Sequence, residues 1–292
     1  MADYIVRYGA MRLLGVFTAG GGHEYARGAE VIARTDRGLE VGEVLREADP
    51  ETVDLLVDPT EGQIVRGMSS EDKVEAQRIR QMAGEEIAIC QKYVDSMELK
   101  MQLVDVEHIY GGERIIVYYL ADNRVDFREL VRRLASEFQT RIEMRQIGVR
   151  DEAKLLADFG DCGKAVCCNN HLVQMPPVSM KMAKLQKATL DPTKISGRCG
   201  RLKCCLRYEY DSYIQMRREM PRIGAHVMTP EGRAKIIGQE VLASQVLVVT
   251  ADRRRLLVDV ADVRALTIDE RNQFAEESPE GDGGDEQDAN ND

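Results

Sequence analysis

Short runs of apolar residues broken by turn residues fill the first 66 positions, a pattern that predicts β structure. Tyr4 to Tyr8 and Arg12 to Thr18 read as strands. Ala29 to Thr35 and Leu39 to Leu45 read as a pair around the turn Asp36-Arg37-Gly38. The period then changes. From residue 70 to 98 apolar positions recur at helical spacing, with Ser70 placed to cap and Glu71 and Asp72 in the first turn. Ile79, Met82, Ile89, Tyr93 and Met97 form the expected inward stripe, and Cys90 reads as core. A compact β-β-α-β pattern follows over 100–148. Its strands are Met101 to His108, Arg114 to Leu120 and Arg141 to Ile147. Asp126 and Glu129 resemble a capping box. Phe127, Leu130, Val131, Leu134 and Phe138 make the buried stripe of the helix. Arg150 to Ala157 reads as one more short helix.

Beyond residue 160 the pattern weakens. Pro176-Pro177 is expected to open a helix with Val178, Met182 and Leu185 on one side and Lys181, Lys184 and Lys187 on another, stopped by Asp191-Pro192-Thr193. Arg201 to Met220 reads as helical, with Cys204 and Cys205 in its first turns. Short strands with tight turns return over 222–266 and suggest a small SH3-like barrel. The fold class expected is α+β. Its parts are a β-rich region (1–66), a long helix (67–99), the β-β-α-β core (100–160), a cysteine-rich helical module (161–220), the SH3-like barrel (221–268) and a disordered acidic tail (269–292).

Charge is uneven along the chain. The formal net charge is −10, yet 141–222 holds 16 Lys and Arg against nine Asp and Glu. The tail from Asp269 to Asp292 holds ten acids and one arginine. Such a segment has little to bury and is expected to stay unfolded. A basic centre suits a phosphate backbone, and it equally suits a site crowded with thiolates. The start Met-Ala-Asp-Tyr lacks a secretory pattern, and no stretch approaches the roughly 18 apolar residues of a membrane span. The expectation is a cytoplasmic protein with reduced thiols and no direct membrane insertion.

Six of seven cysteines fall in two copies of one motif. Cys162-Gly163-Lys164-Ala165-Val166-Cys167-Cys168 and Cys199-Gly200-Arg201-Leu202-Lys203-Cys204-Cys205 both read Cys-Gly-basic-x-x-Cys-Cys, 37 positions apart. Core packing accounts for a lone thiol but not for this repetition. Thiolate is the metal-ligating form, and cations lower a thiol's pKa. Lys164, Arg198, Arg201, Lys203 and Arg207 are close in sequence. The spacing matches neither a zinc ribbon nor a ferredoxin. Four-ligand sites are usual for zinc and cubane clusters, so six thiols make one site with two to spare or two sites of three completed from outside. His171 is a further candidate ligand. Lys181, Lys184, Lys187 and Lys194, with the five cations just named, are candidate nucleic-acid or partner contacts.

The run from Val125 to Leu130, followed by Thr140 to Ala153, resembles the C-terminal region of the polymerase-suppressor (PSP) domain family. The twin cysteine motifs, Met180-Lys181-Met182-Ala183-Lys184 and Asp191 to Gly197 are similar to its bacterial YaaT/RicT branch. The resemblance spans roughly residues 5 to 265. It implies a regulatory subunit rather than an enzyme, with 4Fe-4S clusters whose ligands are shared between subunits. The ligands it implies here are Cys162, Cys167, Cys168, Cys199, Cys204 and Cys205. It implies small helical partners of the RicA/RicF type, an RNase Y-like endoribonuclease, and roles in mRNA processing and turnover, sporulation, competence and biofilm formation. RNA itself is a further partner. No His-Glu-x-x-His or Gly-x-Ser-x-Gly pattern accompanies the four histidines. Two rival readings remain open: a zinc-stabilised RNA-binding module, and a redox enzyme with one reactive cysteine.

Overall fold

The computed structural model describes residues 2–172 and 176–267. The acidic tail expected at 269–292 lies outside them. The described residues form two compact units: 2–172, 176–179 and 189–205 in the first, 180–188 and 206–267 in the second.

The first unit opens with a closed barrel. Its strands are β1 (Asp3–Tyr8), β2 (Leu13–Ala19), β3 (Glu30–Thr35), β4 (Gly38–Glu47) and, after the short helix α1 (Pro50–Asp54), β5 (Thr60–Gly67). They close in the order β1-β2-β5-β3-β4, with β2 and β5 parallel and the other pairs antiparallel. Val6, Phe17, Val31, Val44 and Ile64 fill its interior. The β-rich expectation holds, although α1 and β5 were not foreseen as elements.

Helix α2 (Ser70–Ser96) is capped by Ser69, not Ser70. Ser69 Oγ accepts from Asp72 N at 3.2 Å, and an Asp72 carboxylate oxygen accepts from Ser69 N at 2.8 Å, a reciprocal capping box. The expected stripe is also rotated. The buried line is Ala76, Glu86, Cys90 and Val94, while Ile79, Met82, Ile89, Tyr93 and Met97 are only half-buried. A buried glutamate sits in the centre of that face because His108 Nδ1 meets Glu86 Oε1 at 2.9 Å. Cys90 is core as expected, and burial pushes its thiol up to about 12.

The β-β-α-β core appears as β6 (Gln102–His108), β7 (Arg114–Leu120), α3 (Arg128–Phe138) and β8 (Arg141–Gln146). β7 lies in the middle, antiparallel to β6 and parallel to β8. Ile115 to Tyr119 are buried on both faces, which explains a continuous apolar run instead of alternation. Leu130 and Leu134 of α3 are fully buried. Asp126 and Glu129 do not form a capping box. Asp126 binds Arg128, and Glu129 pairs with Arg132 and Arg133.

One buried charge network joins barrel and sheet. Arg37 Nε and a terminal nitrogen reach both Glu40 carboxylate oxygens at 3.0 and 2.5 Å, and the same nitrogen reaches Glu107 at 3.0 Å. Glu107 also accepts from Ala10 N at 2.7 Å and from the Tyr118 hydroxyl at 2.6 Å. Burial works against the Arg37 charge, but the Glu40 hydrogen bond and the charges of Glu107 and Glu40 outweigh it and raise the pKa further.

The rest of the chain is built of short pieces: α4 (Val149–Leu156), α5 (Cys167–Asn170), α6 (Met180–Leu185), α7 (Pro192–Ile195), α8 (Cys205–Tyr208) and α9 (Tyr210–Glu219). Three expectations are corrected. The helix near Pro176 starts only at Met180, and the two prolines lie outside it, where neither can donate to a helical ladder. Asp191 stops no helix; it caps α7, accepting from Thr193 N at 2.9 Å. The helical run expected from Arg201 begins only at Cys205, because Leu202 bridges back to Ser196.

In the second unit β9 (His226–Thr229), β10 (Gly232–Glu240), β11 (Gln245–Thr250), β12 (Arg255–Asp259) and β13 (Arg264–Ala265) form one antiparallel sheet, ordered β12-β11-β10-β9-β13. Tyr213 and Met220 pack with Val227, Ile236, Val246 and Val248 in its core. The closed barrel is thus at the start of the chain, where it was not expected, and the later strands make a five-stranded sheet. No helix among the described residues is long and apolar enough to cross a membrane.

Removing Glu40 leaves the Arg37 charge buried with one partner fewer. Glu40→Ala is expected to lower stability by roughly 3–5 kcal/mol, read as a shift of the urea unfolding midpoint. An unchanged midpoint would show that the network does not hold barrel and sheet together.

Candidate metal centre

Each cysteine motif folds as the same tight hairpin. In the first, Gly160 N donates to Lys164 O at 2.8 Å, Gly163 N to Gly160 O at 3.0 Å, and Val166 N to Asp158 O at 3.2 Å. In the second, Gly197 N donates to Arg201 O at 2.8 Å, Gly200 N to Gly197 O at 2.9 Å, and Lys203 N to Ile195 O at 2.8 Å. Every partner in the second set lies 37 positions after its counterpart in the first. The isolated bridges Phe159–Ala165 and Ser196–Leu202 keep the same offset. Gly163 has φ +75° and Gly200 φ +73°, the left-handed region a Cβ disfavours. The repeat therefore extends back to Gly160 and Gly197, two residues before each first cysteine. That signal was present in the sequence and was missed.

The two hairpins meet. The Cys167 and Cys204 thiols lie close enough to act on each other, and their motif positions are equivalent. Cys168 feels the charge of Cys199, and Cys167 that of Cys162. Burial, then neighbouring thiols, push Cys167 upward. Burial also pushes Cys168 and Cys204 upward. Lys154 on α4 opposes the rise at Cys168. Cys162 is exposed, and the other five thiols of the set are half-buried. Among the described residues, no group of three or more His, Cys, Asp or Glu side chains is arranged to hold a metal ion.

Asp161 and Arg198 occupy the same place in the two hairpins. Arg198 Nε reaches Asp161 at 3.5 Å and donates to Phe159 O at 3.1 Å, a cross-tie between the copies. Hairpin one is tied to the barrel as well, because Arg12 donates to Asn169 O at 2.8 Å. Helix α4 leads into it and seats Leu155 against Met11, Ile116, Tyr118 and Ile147.

The expected contact cations are distributed differently. Lys164, Lys194, Arg198 and Arg201 are exposed and Lys203 half-buried, all in the first unit. Lys181, Lys184, Lys187 and Arg207 belong to the second. Lys187 is engaged by Gln239 O at 2.6 Å and Glu240 at 2.7 Å, and Arg207 by Asp211 at 2.7 Å. His171 is exposed, and its backbone N–H closes α5 onto Cys167 O. A separate cavity of about 670 Å³ lies in the first unit. Arg7 and His108 in its wall are already paired with Glu43 and Glu86.

Residues 62–147 match the family model of the PSP1 C-terminal conserved region, and 177–220 that of the PSP1-like protein, third domain. Stage 0 sporulation protein YaaT of Bacillus subtilis is 44% identical over 230 residues, which covers 78% of this chain and 82% of that protein. An uncharacterized protein of Schizosaccharomyces pombe is 32% identical over 117 residues, 40% of this chain and 13% of that protein. No solved structure matches the chain.

A Cβ at Gly163 or Gly200 would meet no atom within 4 Å, so substitution there strains only the backbone. Gly163→Ala and Gly200→Ala should each cost about 1–2 kcal/mol, with amide exchange rising in the substituted hairpin. Equal exchange in wild type and variants would contradict the left-handed turns.

Proposed function

Because the chain belongs to the PSP1-domain family of Stage 0 sporulation protein YaaT, we propose that it is a non-catalytic regulatory subunit that carries a thiolate-ligated metal centre on its twin hairpins. The observation that carries this is the convergence of two equivalent hairpins at Cys167 and Cys204. Six thiols on glycine-turned hairpins are a donor set that suits a soft metal, zinc or an iron–sulfur cluster. Cys162, Cys167, Cys168, Cys199, Cys204 and Cys205 would hold it. A 4Fe-4S cluster bound there supplies a redox- and oxygen-sensitive cross-link between the hairpins. Six thiols do not fill whole four-ligand sites, which favours completion by a partner chain. The partners in this reading are small helical proteins of the RicA/RicF type and an RNase Y-like endoribonuclease, and the outcome is control of mRNA processing in a sporulation-type programme. Because burial raises Cys167, Cys168 and Cys204, metal binding to them must displace their protons.

The test is anaerobic purification, alone and with co-expressed helical partners, followed by iron, sulfide and zinc analysis. The reading predicts matched iron and sulfide, lost in Cys167→Ser/Cys168→Ser with far-ultraviolet circular dichroism unchanged. Zinc without iron would replace the cluster by a structural zinc. A metal-free protein in both preparations would contradict the metal centre altogether.

A further inference from the structure

The second unit has a groove that the metal centre does not use. This cavity of about 640 Å³ is lined by Leu185, Ile214 and Ile223 and by Arg217, Arg218 and Arg222. All three arginines are exposed, and none is paired with a described residue. Elsewhere in this unit Arg207 is paired with Asp211 and Arg254 with Glu231 and Asp252, whereas Arg253 and Arg255 are exposed singly on a turn and a strand, away from the lining of this groove. The helix dipole favours cations in the last turn of α9, which accounts for Arg217 and Arg218. It does not account for Arg222, which lies beyond that helix. Nor does it account for Ile223, 55% exposed beside the cations. Arginine next to exposed apolar surface is the composition of a binding face.

Strand register shows what lies within reach of that face. β13 runs antiparallel to β9, with Arg264 opposite Met228 and Ala265 opposite Val227. The chain leaving β13 therefore runs back toward Ala225, Ile223 and Arg222. Leu266, 4% exposed, fixes that direction. Past Thr267 the sequence continues for 25 residues, and from Asp269 on it carries ten acids against one arginine. That length can span up to about 80 Å, far more than the groove requires. The segment also contains Phe274, an aromatic residue that matches the apolar floor.

We propose that the acidic C-terminal segment, residues 269–292, docks on the Arg217–Arg218–Arg222 groove of its own chain. Tethering supplies the segment at an effective concentration in the roughly millimolar range, so modest affinity is enough to keep it there. An outside polyanion competes with the segment for the same three arginines, so a nucleic acid has to displace it to bind. The attraction is between exposed charges and falls with salt. None of this depends on the cysteine hairpins, so loss of the metal centre leaves it unchanged.

The test is limited proteolysis of the full chain by a glutamate-specific protease, with a synthetic peptide of residues 268–292 as the reference for unprotected cleavage. In wild type at low salt, cleavage within the segment should be at least about fivefold slower than in the peptide. Protection should vanish near 0.5 M salt, where the screening length is only a few ångströms. Arg217→Gln/Arg218→Gln/Arg222→Gln should be cut at the peptide's rate at all salt concentrations. Wild type cleaved at the peptide's rate at low salt would overturn the proposal. So would an unprotected segment combined with oligouridylate binding that depends on the same arginines, which would assign the groove to RNA.

Discussion

A buried guanidinium sets the terms for the first unit. Arg37 is 6% exposed, and an ion at that depth is tolerated only when its charge is met. Glu40 meets it from the neighbouring strand of the barrel, and Glu107 from the first strand of the sheet. Glu107 in turn holds Tyr118, whose ring packs with Ile116, Ile147 and Met11. Leu155 of α4 closes that same cluster, and α4 leads into the first cysteine hairpin. One ionic constraint thus runs from the barrel to the base of the first cysteine hairpin. The hairpin inherits a fixed mount although it has little core of its own.

The hairpins work by repetition. Two copies of one backbone hydrogen-bond pattern, each turned by a left-handed glycine, bring equivalent thiols to a common place. The copies differ in one informative position. Asp161 and Arg198 are counterparts of opposite charge, so the residue that repeats in place becomes an ion pair across the repeat. An exposed pair of this kind contributes little energy, but it orients one copy against the other. Burial raises Cys167, Cys168 and Cys204, so a metal ligated by these three would have to displace their protons.

The parts legible in sequence are those where a single element decides its own face. The stripe of α3 follows from its period because one side meets the sheet and the other meets water. The twin cysteine motifs were plain from repetition alone. Other features depend on distant partners. Glu40 and Glu86 look like surface residues along the chain, and only Arg37 and His108 explain why they point inward. Asp126 and Glu129 have capping-box spacing, but arginines on the same helix claim both carboxylates. Closure of the barrel rests on a parallel pairing between β2 and β5, which no local pattern announces. The helix expected from Arg201 yielded to the bridge between Leu202 and Ser196, a consequence of the hairpin's own hydrogen bonds.

In the proposed function the twin hairpins present their thiols as the ligands of one metal centre. X-ray absorption at the metal edge of anaerobically isolated protein tests it most directly. Ligation by the hairpin thiols gives a first shell of sulfur at about 2.3 Å, with no lighter scatterer needed to fit it. A first shell dominated by nitrogen or oxygen would contradict it, because the metal would then be held elsewhere on the chain.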